Sequence, residues 1–487
     1  MSVVQRTFHA ATLLAVVFVG HVAGAQVAVV PAGGGDRSIS VAQRRAVVDS
    51  VTAYVERTYV DADTAKRIAA HLRSRRAAGA YDAAITVDAL GGILTNDLRS
   101  INNDLHLGVR SEGPLADRLD RPAVAHAAAG PEDGPGQEPP VARSRVPGGY
   151  SEAPGDLDTA MLNDPRYQQA RRANFGIGKI EILPGNVGYL EITGFLGAPG
   201  AEHAVEDALR VLERTDALII DVRRNGGGSG MMSHLVASHF LSATPRPTIR
   251  VAGRQQAPFT MHSFANVPGP RRVDVPLYIL TSRATGSAAE EFSFVLRNAQ
   301  RATLVGDRTA GAGHMVQAYN AGHGFVVSIS ITRVSDPVTG KEWEQVGVEP
   351  HVKVAPERAL DVSHALALQA VAKVPSLPAD RAAELERLAT VSEARAKGLE
   401  IDMTRAALWV GEYEGDRALR LLDGRLQYRS SRRPVWEALV CVSNDRFMTP
   451  NATQIRFEGD GASRRIVIQR ANSAAVTAAW RAPLASQ

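Results

Sequence analysis

Leu218-Ile219-Ile220 is an unbroken apolar run, and it is followed at once by Asp221-Val222-Arg223-Arg224-Asn225-Gly226-Gly227-Gly228. Successive side chains of a strand point to opposite faces, so such a run needs cover on both sides. Strands of that kind sit inside parallel sheets flanked by helices. The three glycines allow a tight turn, and the apolar stretch Met231–Phe240 beyond them is long enough for a helix. Strand-like segments recur at Ile180–Leu183 and Val187–Ile192, which flank a Pro184-Gly185-Asn186 hairpin turn, and at Val275–Leu280, Ala302–Val305 and Phe325–Ile331. Helical spacing of Val205, Leu209 and Leu212, and a helix start near Ser287, fall between them. This alternation predicts an α/β domain over residues 173–355 with a mostly parallel sheet.

The remainder divides by pattern. Residues 40–110 read as a helical domain. Ser40 and Gln43 form a capping box before Val47, Val48, Val51 and Val55, and Asp88 is placed to cap a second helix carrying Leu90, Leu94 and Leu98. Residues 111–172 read as a linker or long loop, because Pro and Gly recur and little apolar area is available to offset ordering. Residues 356–400 read as helical, with Leu385, Leu388 and Val391 on one stripe. Residues 401–487 read as a small antiparallel β domain, its short strands separated by Asp423-Gly424 and Asp460-Gly461 turns.

With 487 residues, 45% of them hydrophobic, the chain can bury several cores. Net charge is +4, nearly all of it from dispersed arginine, so no nucleic-acid partner is expected. The single cysteine, Cys441, excludes an intrachain disulfide and a Cys-x-x-Cys metal knuckle. Residues 1–25 have the form of a Sec-type signal peptide: Arg6, an apolar run from Ala10 to Gly20, and Ala23-Gly24-Ala25 before the cleavage point. The expectation is a periplasmic or secreted protein, cleaved after Ala25, with no membrane-spanning segment in the mature chain.

Two motifs carry chemistry. The Gly226–Gly228 turn between strand and helix can present bare amides to an oxyanion. It lacks the third glycine of a dinucleotide fingerprint and the lysine of a P-loop, so no nucleotide cofactor is expected. Thr285-Gly286-Ser287-Ala288-Ala289-Glu290-Glu291 is, in its plainest reading, a helix cap of the Ser-x-x-Glu kind. The same geometry exposes Ser287 as a nucleophile, with the Ala288 amide beside it. A serine nucleophile needs a base, and no lysine lies between Lys179 and Lys341. That leaves His106, His234, His239, His314 and His323. His106 ranks first because it follows the polar corner Asn102-Asn103-Asp104, and His314 ranks second. Orienting carboxylates are available at Asp336, Glu344 and Glu349. No metal site is expected.

The order of four motifs resembles the tail-specific (C-terminal processing) serine peptidase family: Tyr189-Leu-Glu-Ile, Leu218-Ile-Ile-Asp-Val-Arg-x-Asn225-Gly-Gly-Gly, Ser287-Ala-Ala-Glu-Glu-Phe, and Gly306-Asp-Arg-Thr-Ala-Gly311. The resemblance implies a crotonase/ClpP-like ββα core, Ser287 as nucleophile and an oxyanion amide from Gly226–Gly228. Ala312 stands where typical members carry the lysine of a Ser–Lys dyad, and no PDZ-like module precedes the core. Both departures point to a branch resembling the interphotoreceptor retinoid-binding protein repeats and the tricorn protease core. In that branch a histidine from an N-terminal segment and a glutamate after the last strands replace the lysine. Carried over, these are His106 and Glu344. The resemblance therefore implies a serine peptidase acting on peptide or protein substrates through Ser287, His106 and Glu344, with Gly227 and Ala288 as oxyanion donors and no cofactor. Its acidic limb is expected near the ordinary histidine value of ~6.5, raised by the glutamate. The alternative is a non-catalytic binding module, for an apolar ligand or an envelope protein, on the same fold. Oligomeric state is not legible in the sequence.

Overall fold

The computed structural model describes residues 37–113, 116, 119, 163–470 and 473–483. The expected signal peptide and most of the expected linker lie outside the described residues. At the linker's C-terminal end, Pro165–Arg172 forms a short helix.

Three helices lead the chain: α1 (Val41–Thr58), α2 (Ala62–Ala77) and α3 (Val87–Arg99). The Ser40/Gln43 capping box starts α1. Helix α3 begins one residue before Asp88, because Thr86 is the cap and its Oγ1 accepts the Ala89 amide at 3.3 Å; Asp88 sits in the first turn instead. Strand β1 (Gly108–Ser111) follows. The helix Pro165–Arg172 becomes α4. Beyond it come β2 (Ile177–Leu183), β3 (Val187–Ile192), α5 (Ala201–Val211), β4 (Ala217–Asp221), α6 (Gly230–Ser238), β5 (Pro247–Gly253), β6 (Phe259–His262), β7 (Leu277–Thr281), α7 (Ala288–Asn298), β8 (Thr303–Gly306), β9 (Met315–Gly322), β10 (Phe325–Ser335), β11 (Val352–Lys353), α8 (Ala359–Ala372) and α9 (Ala379–Lys397).

The central sheet has the order β11-β8-β7-β4-β3-β2, parallel throughout except for the β2–β3 hairpin. Its strands alternate faces as the sequence requires. Leu190, Leu218, Ile220, Ile279 and Leu304 turn toward α5, α6 and α7. Val187, Ala217, Ile219, Leu280 and Val305 turn toward α8 and α9. A second sheet, β1-β10-β5-β6 with β9 also on β10, is antiparallel. The helices α1–α3 pack on it, burying Val47, Val51, Leu94 and Leu98 with Val109, Phe325, Val327 and Ile329. The N-terminal unit is thus helices on a sheet, not helices alone. The strands β5, β6 and β9 have no counterpart in the sequence reading; the alternation in β5 (Ile249, Val251) and β6 (Phe259, Met261) spans only two apolar residues each.

After α10 (Met403–Ala407), nine strands, β12 (Gly411–Tyr413) to β20 (Val476–Ala482), form an antiparallel sheet curled nearly into a barrel. Trp409, Tyr413, Leu419, Tyr428, Phe447, Phe457 and Ile466 fill its interior. Met448 and Ala452 of this sheet are buried in the same core as α8 and α9. No helix among the described residues is long and apolar enough to cross a membrane.

Candidate active site

The glycine-rich turn leaves the C-terminal end of β4. Asp221 anchors it: one carboxylate oxygen accepts the Tyr189 hydroxyl at 2.7 Å, and both accept the Arg223 guanidinium. Burial raises the Asp221 carboxyl, but hydrogen bonds and charge from Arg223 win and hold it below its ordinary range. Asn225 is fully buried. Its backbone carbonyl accepts the Gly286 amide at 3.0 Å, and its Oδ1 accepts the Gly227 amide at 2.9 Å. The turn is therefore tied directly to the loop that carries Ser287. Gly227 has φ 115°, and a Cβ there would stand 2.7 Å from Ser287 Cβ, so only glycine fits.

Ser287 has φ 53° and ψ −120°, a conformation that a non-glycine residue occupies only under restraint. The restraint is visible. Ser287 N–H donates to Glu290 Oε2 at 2.8 Å. Glu290, wholly buried, also accepts from Thr309 Oγ1 and from the amides of Gly311 and Ala312. Burial raises its pKa, and these donors offset part of that rise. Glu290 thus fastens the start of α7 to the loop that carries Ala312.

The Ser287 Oγ lies 3.0 Å from His106 Nε2. His106 sits between α3 and β1, and its backbone is clamped. Arg99 donates to the carbonyls of Leu105 and Leu107 at 2.7 Å each, and Asp104 Oδ1 accepts the His106 amide at 2.9 Å. Burial pushes the His106 pKa down to about 4, against the opposing pull of Asp104. The imidazole is neutral across the neutral range, the state a base requires. This replaces the value near 6.5 expected from the sequence.

Glu344 makes no hydrogen bond to His106. Its Oε2 accepts the amides of Gly313 and His314 at 2.6 and 3.0 Å and lies 3.7 Å from His314 Nδ1. Its Oε1 is buried without a hydrogen-bond partner, and so is His106 Nδ1. Burial, and then the Asp104 charge, raise the Glu344 pKa to about 7. His314 does not face Ser287; its Nδ1 lies 3.0 Å from Asp104 Oδ2. Asp104 was not singled out for chemistry in the sequence, and its place two residues before the histidine was the available signal. Of the other candidates, Asp336 caps its own turn, accepting from Val338 and Thr339. Glu349 pairs with Arg308. His234 contacts the His262 carbonyl and Thr248, and His239 the Pro270 carbonyl. Asp104, His314 and Glu344 each offer one ligand atom, all within 4.8 Å of one another, which makes them the residues that could gather round a cation.

A serine on a strained turn at a helix start, with a neutral imidazole within hydrogen-bond reach, is a hydrolase arrangement of nucleophile and base. Residues 186–354 match the family described as Peptidase family S41, and residues 41–135 match the N-terminal domain of Peptidase_S41 in eukaryotic IRBP. Over these two stretches the chain is similar to peptidase family S41. A carboxyl-terminal-processing protease of Synechocystis is 32% identical over 154 residues, 31% of this chain and 34% of that protein. Carboxy-terminal processing protease CtpB of Bacillus subtilis is 29% identical over 174 residues, 35% of this chain and 34% of that one. The chain thus spans about a third of the length of these curated relatives. Among solved structures, the photosystem II D1 C-terminal processing protease aligns with TM-score 0.31 and 24% identity, covering 37% of this chain and 47% of that one.

Proposed function

We infer that the protein is a serine peptidase, exported from the cytoplasm, which hydrolyses peptide bonds in peptide or protein substrates. The observation that carries this reading is the 3.0 Å approach of His106 Nε2 to a Ser287 held at φ 53°. Ser287 Oγ attacks the carbonyl carbon as His106 Nε2 takes its proton. The tetrahedral oxyanion is received by the Ala288 amide and the remaining amides of the Gly226–Gly228 turn; Gly227, expected as a donor from the sequence, already gives its N–H to Asn225 Oδ1. His106 then delivers the proton to the leaving amine, and water repeats the sequence on the acyl-enzyme. Glu344 is the carboxylate we assign to His106, since its Oε1 and His106 Nδ1 are both buried without partners and catalytic hydrogen bonds often tighten only in the complex. The core is of the crotonase/ClpP-like ββα kind. Export rests on the signal-like residues 1–25.

The test uses a fluorophosphonate probe, which phosphonylates an activated serine and needs no knowledge of the natural substrate. Mass spectrometry should place the label on Ser287. Labelling should vanish in Ser287→Ala and slow by at least about 100-fold in His106→Ala. A protein unlabelled at Ser287 across the pH range would end the peptidase reading.

A further inference from the structure

In the usual serine-hydrolase triad a carboxylate holds the base by its second ring nitrogen. Here His106 Nδ1 has no partner, and the imidazole is placed from its main chain. The residue that does this, Asp104, is fully buried and heads a chain of side chains. Its Oδ1 accepts the His106 amide at 2.9 Å. Its Oδ2 accepts the Tyr59 hydroxyl at 2.9 Å and His314 Nδ1–H at 3.0 Å. Asn102 Nδ2 donates to the Tyr59 oxygen at 2.6 Å, and Gln345 Nε2 donates to the Asn102 carbonyl at 2.6 Å. Three separate parts of the fold, α1, the α3–β1 corner and the loop before β9, thus converge on one carboxylate next to the base.

Deepening the peptidase reading and resting on it, we propose that Asp104 and His314 form a buried positioning pair for His106: Asp104 fixes the base through its backbone amide and supplies the nearest counter-charge to its imidazolium, and His314 fixes Asp104. The charged and titratable groups bearing on this assembly are Arg99, Arg333, Glu344, Tyr59 and His106 itself, besides the two partners. Burial alone would raise the Asp104 carboxyl, but the hydrogen bond and charge of His314 prevail and hold it down to about 2. Burial alone would lower the His314 imidazole, but Asp104 and Glu344 together raise it. Each partner thus favours the ionised form of the other, Asp104 through the charge and hydrogen bond of His314 and His314 through those of Asp104. Neither residue touches the reacting atoms, so both act through His106.

The measurement is the second-order rate of fluorophosphonate labelling of the full chain against pH. Asp104→Asn keeps an acceptor for the His106 amide and removes the charge; it should slow labelling by about 10- to 100-fold, as loss of a supporting outer partner typically does. His314→Ala should slow it similarly, and His314→Gln, which retains a donor, should recover most of that loss. The pH profile separates positioning from mere structure. The Asp104 charge raises the Glu344 pKa and the His314 charge lowers it. The near-neutral limb should therefore move to lower pH in Asp104→Asn and to higher pH in His314→Ala. If either variant does not fold, His314→Gln and Tyr59→Phe decide, the latter with an expected loss of about 3- to 10-fold from one hydrogen bond. Rates within about threefold of wild type in the folded variants, with unmoved limbs, overturn the positioning pair. A wild-type protein without label at Ser287 overturns the peptidase reading itself, a different result.

Discussion

A Cβ added to Gly227 would stand 2.7 Å from the Cβ of Ser287. The glycine-rich turn and Ser287 are thus in contact, backbone to side chain. Gly227→Ala should displace one or the other. A shift near 1 Å at a reacting centre costs about 100-fold in rate. The expected outcome is a folded protein with at least that loss of labelling. Unchanged labelling would remove the turn from the site.

Ser287 itself allows a test of strain. Ser287→Ala should abolish activity while leaving φ 53° and its energetic cost in place. Ser287→Gly should be equally inactive but more stable than the alanine variant by about 1 kcal/mol or more, because glycine adopts this backbone freely. Urea unfolding of the two variants checks it; equal midpoints would mean the turn carries no strain.

Glu344 should govern the pH profile. The His106 pKa of about 4 leaves the base neutral well below pH 6, whereas Glu344 protonates near 7. If ionised Glu344 is needed, activity falls as pH drops through about 7, and Glu344→Gln flattens that limb at a reduced plateau. Stability has the opposite trend. The folded pKa is raised, so the contribution of this group is fully present below the unfolded value of 4.5 and is lost as pH rises through about 7. Wild type should therefore lose stability relative to Glu344→Gln between pH 5 and pH 8. Parallel melting curves across that range would contradict the burial of an ionising carboxyl here.

Ala312→Lys should not restore a Ser–Lys dyad. Ala312 is buried, and its amide is bound by Glu290, whose carboxylate would meet the new ammonium first. The expected result is a destabilised protein with no labelling in a His106→Ala background. Labelling there would show that the lysine site is intact.

Truncation after residue 400 bears on domain independence. The sequence marks a boundary near Gly398, and α9 does end on Gly398 in a left-handed conformation. Yet Met448 and Ala452, with Val440 and Val442 partly, lie in the core of α8 and α9. Removing them should cost a few kcal/mol at ~1.5 kcal/mol or more for each large apolar side chain uncovered. A fragment of residues 26–400 with the urea midpoint of the full chain would show the barrel to be dispensable.

The legible parts of the fold were those with one dominant physical demand. Leu218–Ile220 had to be a central strand because nothing else covers both its faces, and Val47, Val51 and Val55 had to line a helix. Strands β5, β6 and β9 carry no such demand and went unassigned, β5 even though it is paired on both sides. At the site, Ser287 and His106 could be named because a nucleophile needs a neutral base and lysine was missing. The place of His314 and Asp104 could not be named, since it depends on a hydrogen bond between residues 210 positions apart. Glu344 was nameable by analogy, but the hold of the Gly313 and His314 amides on its Oε2 is something the sequence does not display.

The base and the nucleophile stand on different layers of the molecule, His106 at the edge of the α1–α3 unit and Ser287 at the start of α7, 181 residues later. A ribosome delivers the imidazole long before the hydroxyl. Until β10 has paired with β1 and brought the two layers together, the chain holds only halves of a cutting edge. The pairing of Ser287 with His106 is therefore a product of long-range assembly, reached only after the second sheet has closed over the first.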